Sequence, residues 1–250
     1  VHDFLEAITA GDEPIVAEPG AAGGTALVVF GGVASNPGMP PFEFFRVTEG
    51  LPVRRVFVRD PHSAFYALGI DGHGGGLDAV TRAVQPTVAG ADRVVCVGNS
   101  AGGTAALVVG AGLGATEVHA FVPVTFLDRR RRLRHGDLRF RRSARAARRG
   151  DPVDAVAALA GGLGPGGRAT VYFGDDSRLD VLHARRLEHV PGVTLRPVPG
   201  RDHSVIRTLR DDGTLRRILA SAAAGTPAPG GGPVRRGSGH RRDRGPATGA

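Results

Sequence analysis

The chain has 250 residues, with 32 Lys or Arg against 24 Asp or Glu, and a formal net charge of +8. All 32 basic residues are arginine, which excludes chemistry that needs a lysine: a P-loop with its Lys on the phosphates, and Schiff-base or pyridoxal-phosphate catalysis. The length and a 41% hydrophobic fraction suit one domain of ordinary size, two at most, with a sizeable core.

Residues 1–24 read as a lead-in segment. From there, short apolar runs predict strands over 26–30, 53–58, 93–97, 118–122, 169–173 and 193–198. Helical patterns fall over 42–48, 77–89, 101–112, 179–189 and 203–223. Several of the strand runs are continuous and Val-rich, as expected for strands covered on both faces. The alternation predicts an α/β fold with a mostly parallel central sheet and helices on both faces. The stretch 125–167 is too long for a simple crossover. It is expected to form one or two helices outside the sheet, as a lid insertion within a domain spanning 25–224. Residues 225–250 are rich in Gly, Pro and Arg and read as a disordered tail.

The charge is uneven. Residues 129–149 carry eleven arginines and one acid, Asp137, a local net of +10. The last 25 residues carry five arginines against Asp243, a net of +4, which leaves −6 for everything else. The single cysteine, Cys96, cannot form an internal disulfide and lies in a predicted buried strand, where it reads as an inert small hydrophobe. The first 25 residues contain Asp3, Glu6, Asp12 and Glu13 and do not read as a secretory signal. No run approaches 18 uninterrupted apolar residues, so no membrane span is expected and a cytoplasmic location is the default. The histidines show no metal-ligand spacing, and no metal or cofactor is expected.

Chemistry concentrates at Gly98-Asn99-Ser100-Ala101-Gly102, a G-x-S-x-G pattern directly after a Val-rich strand and directly before a helix. That context suits a sharp strand-to-helix elbow that lifts the serine hydroxyl above the sheet edge. The plainer reading of Ser100 is an ordinary helix N-cap. Downstream, the strand 169–173 is followed by Gly174-Asp175-Asp176-Ser177-Arg178-Leu179-Asp180, and the strand 193–198 by Pro199-Gly200-Arg201-Asp202-His203.

With these residues the chain resembles the α/β-hydrolase superfamily over roughly residues 25–222, in its serine esterase or thioesterase-like branch. The resemblance implies a triad in the order Ser, acid, His: Ser100 as nucleophile, His203 as general base, and an acid after the late strand. For the acid, Asp176 has the family spacing to the following helix, with Asp180 and Asp175 as alternatives. Oxyanion donors are expected from the Ala101 N–H at the helix start and from Gly32 or Val33 in the loop after the first clear strand. Met39, Phe42 and Asn99 are candidates for substrate binding, although a cluster such as 42–45 is more often core than pocket.

The implied activity is cleavage of an ester or thioester through an acyl-enzyme intermediate. A thioesterase or acyltransferase role in a biosynthetic pathway is a further refinement, and an acidic acyl-carrier protein is a partner that the basic lid would suit. The alternative is a non-catalytic binding or scaffold protein on the same fold that recognises an acidic partner through its Arg-rich lid. The segment 129–149 also reads as a solvated Arg-rich face. No nucleic-acid-binding motif accompanies it, and no nucleic acid is expected as a partner.

Overall fold

In the computed structural model the described residues are 2–10, 13–19, 23–32, 44–70, 75–163, 165–200 and 205–226. The lead-in supplies a helix, α1 (His2–Ala10), and a short strand, β1 (Ile15–Ala17). Then come β2 (Thr25–Phe30), a 3₁₀ turn (Arg46–Thr48), β3 (Arg54–Val58), α2 (Gly76–Val88), β4 (Arg93–Asn99), α3 (Ala101–Gly112) and β5 (Glu117–Phe121). Three short helices follow: α4 (Arg129–His135), α5 (Arg141–Ala147) and α6 (Ala155–Ala158). The chain returns through β6 (Arg168–Gly174), α7 (Arg178–Arg185) and β7 (Val193–Val198) to α8 (Val205–Asp211) and α9 (Thr214–Ala224).

The strands form one sheet in the order β1-β3-β2-β4-β5-β6-β7. All neighbours are parallel except β1, which pairs antiparallel with β3. The period of two along each strand divides the core into two layers. In β2, Ala26, Val28 and Phe30 face the layer of α2 and α3, while Leu27 and Val29 face that of α1, α8 and α9. Helix faces repeat at helical spacing to match, with Leu215, Ile218, Leu219 and Ala222 of α9 in the second layer. β2 is buried along its whole length. The outer strand β7 is the least buried of the parallel strands and carries Pro197, a residue tolerated at a sheet edge because it offers no N–H to a ladder.

The expected strands are present within a residue or two, as are the helices expected over 77–89 and 101–112; the helix expected over 179–189 ends at Arg185, and the other helical readings differ further. The pattern over 203–223 is two helices among the described residues, broken at Asp212-Gly213, where Gly213 is left-handed (φ +73) and starts α9. Of 42–48, the described part holds only the 3₁₀ turn Arg46–Thr48. The insertion 125–167 holds three short helices. Asp128 caps α4 by accepting from the Arg131 N–H at 2.9 Å, Gly136 ends it in the left-handed region, and Asp154 caps α6. Of the tail expected over 225–250, Gly225 caps the end of α9, and residues 227–250 lie outside the described residues.

Candidate active site

The parallel strands deliver their C-terminal ends to one edge of the sheet, where loop residues converge. β4 ends at Asn99, and Ser100 occupies the turn into α3 with φ 55 and ψ −114. A positive φ at a residue with a Cβ is strained and persists only where the surroundings enforce it. The Ser100 N–H donates to the Phe121 carbonyl at 2.8 Å, and the Ser100 carbonyl accepts the Thr104 N–H at 3.1 Å. The Thr104 hydroxyl lies 2.8 Å from the Val124 carbonyl and accepts the Val124 N–H at 3.0 Å, which ties α3 to the chain leaving β5.

The flanking glycines make the close approach possible. A Cβ on Gly98 would lie 2.0 Å from the Gly102 carbonyl oxygen, and one on Gly102 would lie 2.2 Å from that of Phe30. Both obstacles are backbone, which cannot swing aside as a side chain can. The Ser100 side chain makes no capping bond to α3, which sets aside the plain N-cap reading. Ser100 is buried, and the Ala101 N–H stands at the first position of α3, where a helix's own ladder supplies no acceptor.

Gly31 and Gly32 follow β2, and the Gly31 carbonyl lies beside Gly102 in the first turn of α3. The start of their loop is braced by the segment that follows β3. The Tyr66 hydroxyl lies 2.9 Å from the Gly31 carbonyl and 3.1 Å from that of Val58. Tyr66 is held by the buried carboxylate of Asp60, which accepts the N–H groups of His62 (3.1 Å), Ala64 (2.6 Å) and Tyr66 (3.0 Å). Burial pushes the Asp60 carboxyl above its ordinary range, with these three donors opposing the shift. Asp60 gathers these donors from a loop in which Ser63, Phe65 and Tyr66 all have positive φ.

The three candidate acids occupy different surroundings. Asp175 and Asp176 are exposed in the loop after β6, which is bonded to the loop after β7. The Asp175 N–H donates to the Val198 carbonyl at 3.0 Å, the Asp176 N–H donates to that of Gly200 at 3.1 Å, and the Asp175 carboxylate accepts the Gly200 N–H at 3.1 Å. Asp180 sits in the first turn of α7 with its carboxylate buried and held by Arg139 at 2.6 Å. The cap of α7 is Ser177, which accepts the Asp180 N–H. His203, Val33, Met39 and Phe42 lie outside the described residues. Of the aromatic cluster, Phe44 packs on Phe121 and Phe45 on Phe57. Asn99 ends β4 opposite Phe121. Cys96 is fully buried, which pushes its thiol up to about 12.

A buried charged network joins the insertion to α7, and no pattern of residue spacing marks it. Arg139 bridges Asp137 (3.1 Å) and Asp180 (2.6 Å). His183 in α7 lies 3.1 Å from Asp137 through Nε2, and its Nδ1 accepts the Thr125 N–H at 3.1 Å. An acceptor at Nδ1 requires the proton on Nε2, so the ring is the neutral tautomer that donates to Asp137. Burial pushes His183 down and Arg139 adds to the effect against Asp137. Burial alone would raise Asp137, but bonds from His183 and Arg139 outweigh it and hold its carboxyl well below the usual range. Arg186 adds bonds to the Thr125 carbonyl (2.8 Å) and to Asp154. The only sequence trace of this network is Asp137 itself, a lone acid among eleven arginines. Among the described residues, no group of three His, Cys, Asp or Glu side chains converges to hold a metal ion. No described helix is long and apolar enough to cross a membrane.

No protein-family profile matches the chain, and no curated protein matches it. Solved structures do. The capsule O-acetyltransferase of Neisseria meningitidis serogroup A superposes with a TM-score of 0.56 at 11% identity, over 80% of this chain and 89% of that one. Brefeldin A esterase, a bacterial homologue of human hormone-sensitive lipase, gives 0.54 at 19% identity, over 90% and 82%. The glycosylation-associated protein (Gap123) complex from Streptococcus agalactiae gives 0.55 at 18%, over 83% of this chain and 44% of that chain, so this chain spans less than half of that protein's length. At these identities the likeness establishes the architecture: the chain has the α/β-hydrolase fold, with esterase and O-acetyltransferase structural neighbours.

Proposed function

We propose that this chain is a serine hydrolase that cleaves an ester or thioester through an acyl-enzyme. The observation that carries the reading is the Ser100 elbow: a buried serine at φ 55, uncommitted to capping, between two glycines with no room for a Cβ. Strain of this kind is retained where it serves a function. Ser100 Oγ attacks the substrate carbonyl carbon, and His203, which follows β7 in the sequence, takes the hydroxyl proton and returns it to the leaving alcohol or thiol. Water then attacks the acyl-enzyme by the same route, or an acceptor hydroxyl does so in an acyltransferase. We assign Asp176 as the acid that orients His203, because the Asp175 carboxylate is engaged at Gly200 and the Asp180 carboxylate at Arg139. The Ala101 N–H, with that of Gly32 or Val33, stabilises the developing oxyanion.

Brefeldin A esterase and the capsule O-acetyltransferase share the fold, and their names describe the two outcomes open to such an intermediate. The test is labelling by a fluorophosphonate probe, followed by turnover of p-nitrophenyl and acyl-thioester substrates. Ser100→Ala, folded by circular dichroism, should lose labelling and about 10³-fold or more in kcat. Full turnover by that variant would refute the mechanism. His203→Ala should match it closely, since members of a triad act as a unit.

A further inference from the structure

Helices α4 and α5 enclose a cleft of about 590 Å³ whose lining is strongly basic. Six arginines line it: Arg129 and Arg132 from α4, Arg141, Arg142 and Arg145 from α5, and Arg148 just beyond. The i, i+3, i+4 and i+7 spacing of these positions directs them to one face of each helix. Six like charges around one cavity repel each other, and an arrangement of this kind is stable when an anion enters it.

The floor supplies an independent sign. Arg132 is 7% exposed, and its Nη1 is buried with no hydrogen-bond partner, although its Nη2 donates to the Arg139 carbonyl. A buried guanidinium nitrogen without an acceptor is costly unless something supplies one. The acid in the lining, Asp137, does not bond it. Its Oδ1 accepts from Arg139 N and Nε, and its Oδ2 faces His183 Nε2 and Arg139 Nη2. Burial pushes Arg132 below the usual arginine range, and Arg139 and Arg148 add to this against the pull of Asp137.

We propose that this cleft binds a compact polyanion: a phosphate or diphosphate group carried on a small molecule. The Arg132 guanidinium meets the anion at the floor, and the arginines of α5 close on its remaining oxygens. Arginine forks match phosphate oxygens with paired N–H donors, and a phosphate presents several acceptors to the converging side chains at once. The walls also carry Leu133 and Leu138, the large hydrophobic residues of the insertion that stand exposed, at 59% and 57%. They give an apolar flank to the carbon part of a phosphate ester. The proposal is independent of the hydrolase reading, because neither Ser100 nor its partners line this cleft.

The test is calorimetric titration of the full chain with inorganic phosphate, pyrophosphate and hexyl phosphate, repeated at ~0.15 M salt to separate a formed site from diffuse attraction. Saturable one-to-one binding of pyrophosphate is expected. A tighter hexyl phosphate than inorganic phosphate would assign the site to an ester, and the reverse would assign it to a free anion. Arg132→Met should weaken pyrophosphate about tenfold or more. Because Arg132 is buried, Arg145→Gln with Arg148→Gln, both exposed positions, provides a second variant with the same expected loss. Arg82→Gln on α2 should bind as the native chain does. No saturable binding up to about 5 mM pyrophosphate would overturn the proposal. So would native-like binding by the Arg145/Arg148 variant, or equal weakening by Arg82→Gln. A hexaglutamate peptide that bound more tightly than pyrophosphate would assign the cleft to an acidic protein and overturn it as well. None of these readings depends on labelling of Ser100, so failure here and failure of the hydrolase reading are distinguishable.

Discussion

Arg139→Met removes one cation from between two buried carboxylates. Asp137 and Asp180 have side chains 1% and 2% exposed, while Arg139 is 23% exposed, so the pair they make with it is shielded from water on the acid side. Asp137 retains His183 as a partner after the change. Asp180 loses its ion pair with Arg139, and both acids stay buried without the cation that bridges them. Breaking a buried pair by removing one partner costs about 3–5 kcal/mol. At roughly 2–4 °C per kcal/mol for a chain of this size, the melting temperature should fall by about 6–20 °C at pH 7. The pH dependence identifies the cause. Without Arg139 the Asp137 carboxyl loses one of the partners that hold it low and titrates at higher pH than in the native protein, so the stability deficit shrinks as pH falls and it takes up a proton. Arg139→Lys keeps a charge but not the fork, and should recover part of the loss. The assay is thermal unfolding of native and variant chains between pH 4 and 8. A variant that melts within 2 °C of the native chain, or a deficit that does not change with pH, would refute the reasoning.

The remaining predictions concern the elbow, its brace and the acid limb. Gly102→Ala should cost at least about 3 kcal/mol, because its Cβ would lie 2.2 Å from the Phe30 carbonyl oxygen and 2.6 Å from that of Gly31; a denaturant midpoint equal to that of the native chain would contradict this. Tyr66→Phe removes the hydroxyl that bonds Gly31 and Val58, and should lower stability by about 1–2 kcal/mol. The same variant should lower kcat for ester cleavage by about tenfold with little change in KM, since Tyr66 positions the loop and does not bind substrate; an unchanged kcat would exclude that role. Acidification should destabilise the chain in two steps. His183 is held below its ordinary value near 6.5, so the unfolded chain binds more protons as pH falls through 6.5, and stability declines there. Asp137 is held below its ordinary 3.8 and contributes stability that is present above that value and lost below it. His183→Gln should flatten the first step, read by urea unfolding from pH 7.5 to 5.

Alternating Val-rich runs and helical patterns determined the parallel α/β sheet, because backbone period and the need to bury both faces act within a few residues of each other. The elbow was legible on the same ground. Gly98, Ser100 and Gly102 meet across one tight turn, and their identities follow from a steric requirement that is local in sequence. The buried network was not legible, since Thr125, the Asp137–Arg139 pair and His183 come from three separate segments and carry no periodic mark of their meeting. Nor did the sequence show that three candidate acids face different partners, that Gly213 divides the closing helix, or that Arg132 reaches the floor of a cleft while its neighbours stand in solvent. Residue spacing sets which face of an element a side chain occupies. Which distant face it then meets is decided only when the sheet brings those elements together and burial leaves each charge to find a partner or remain without one.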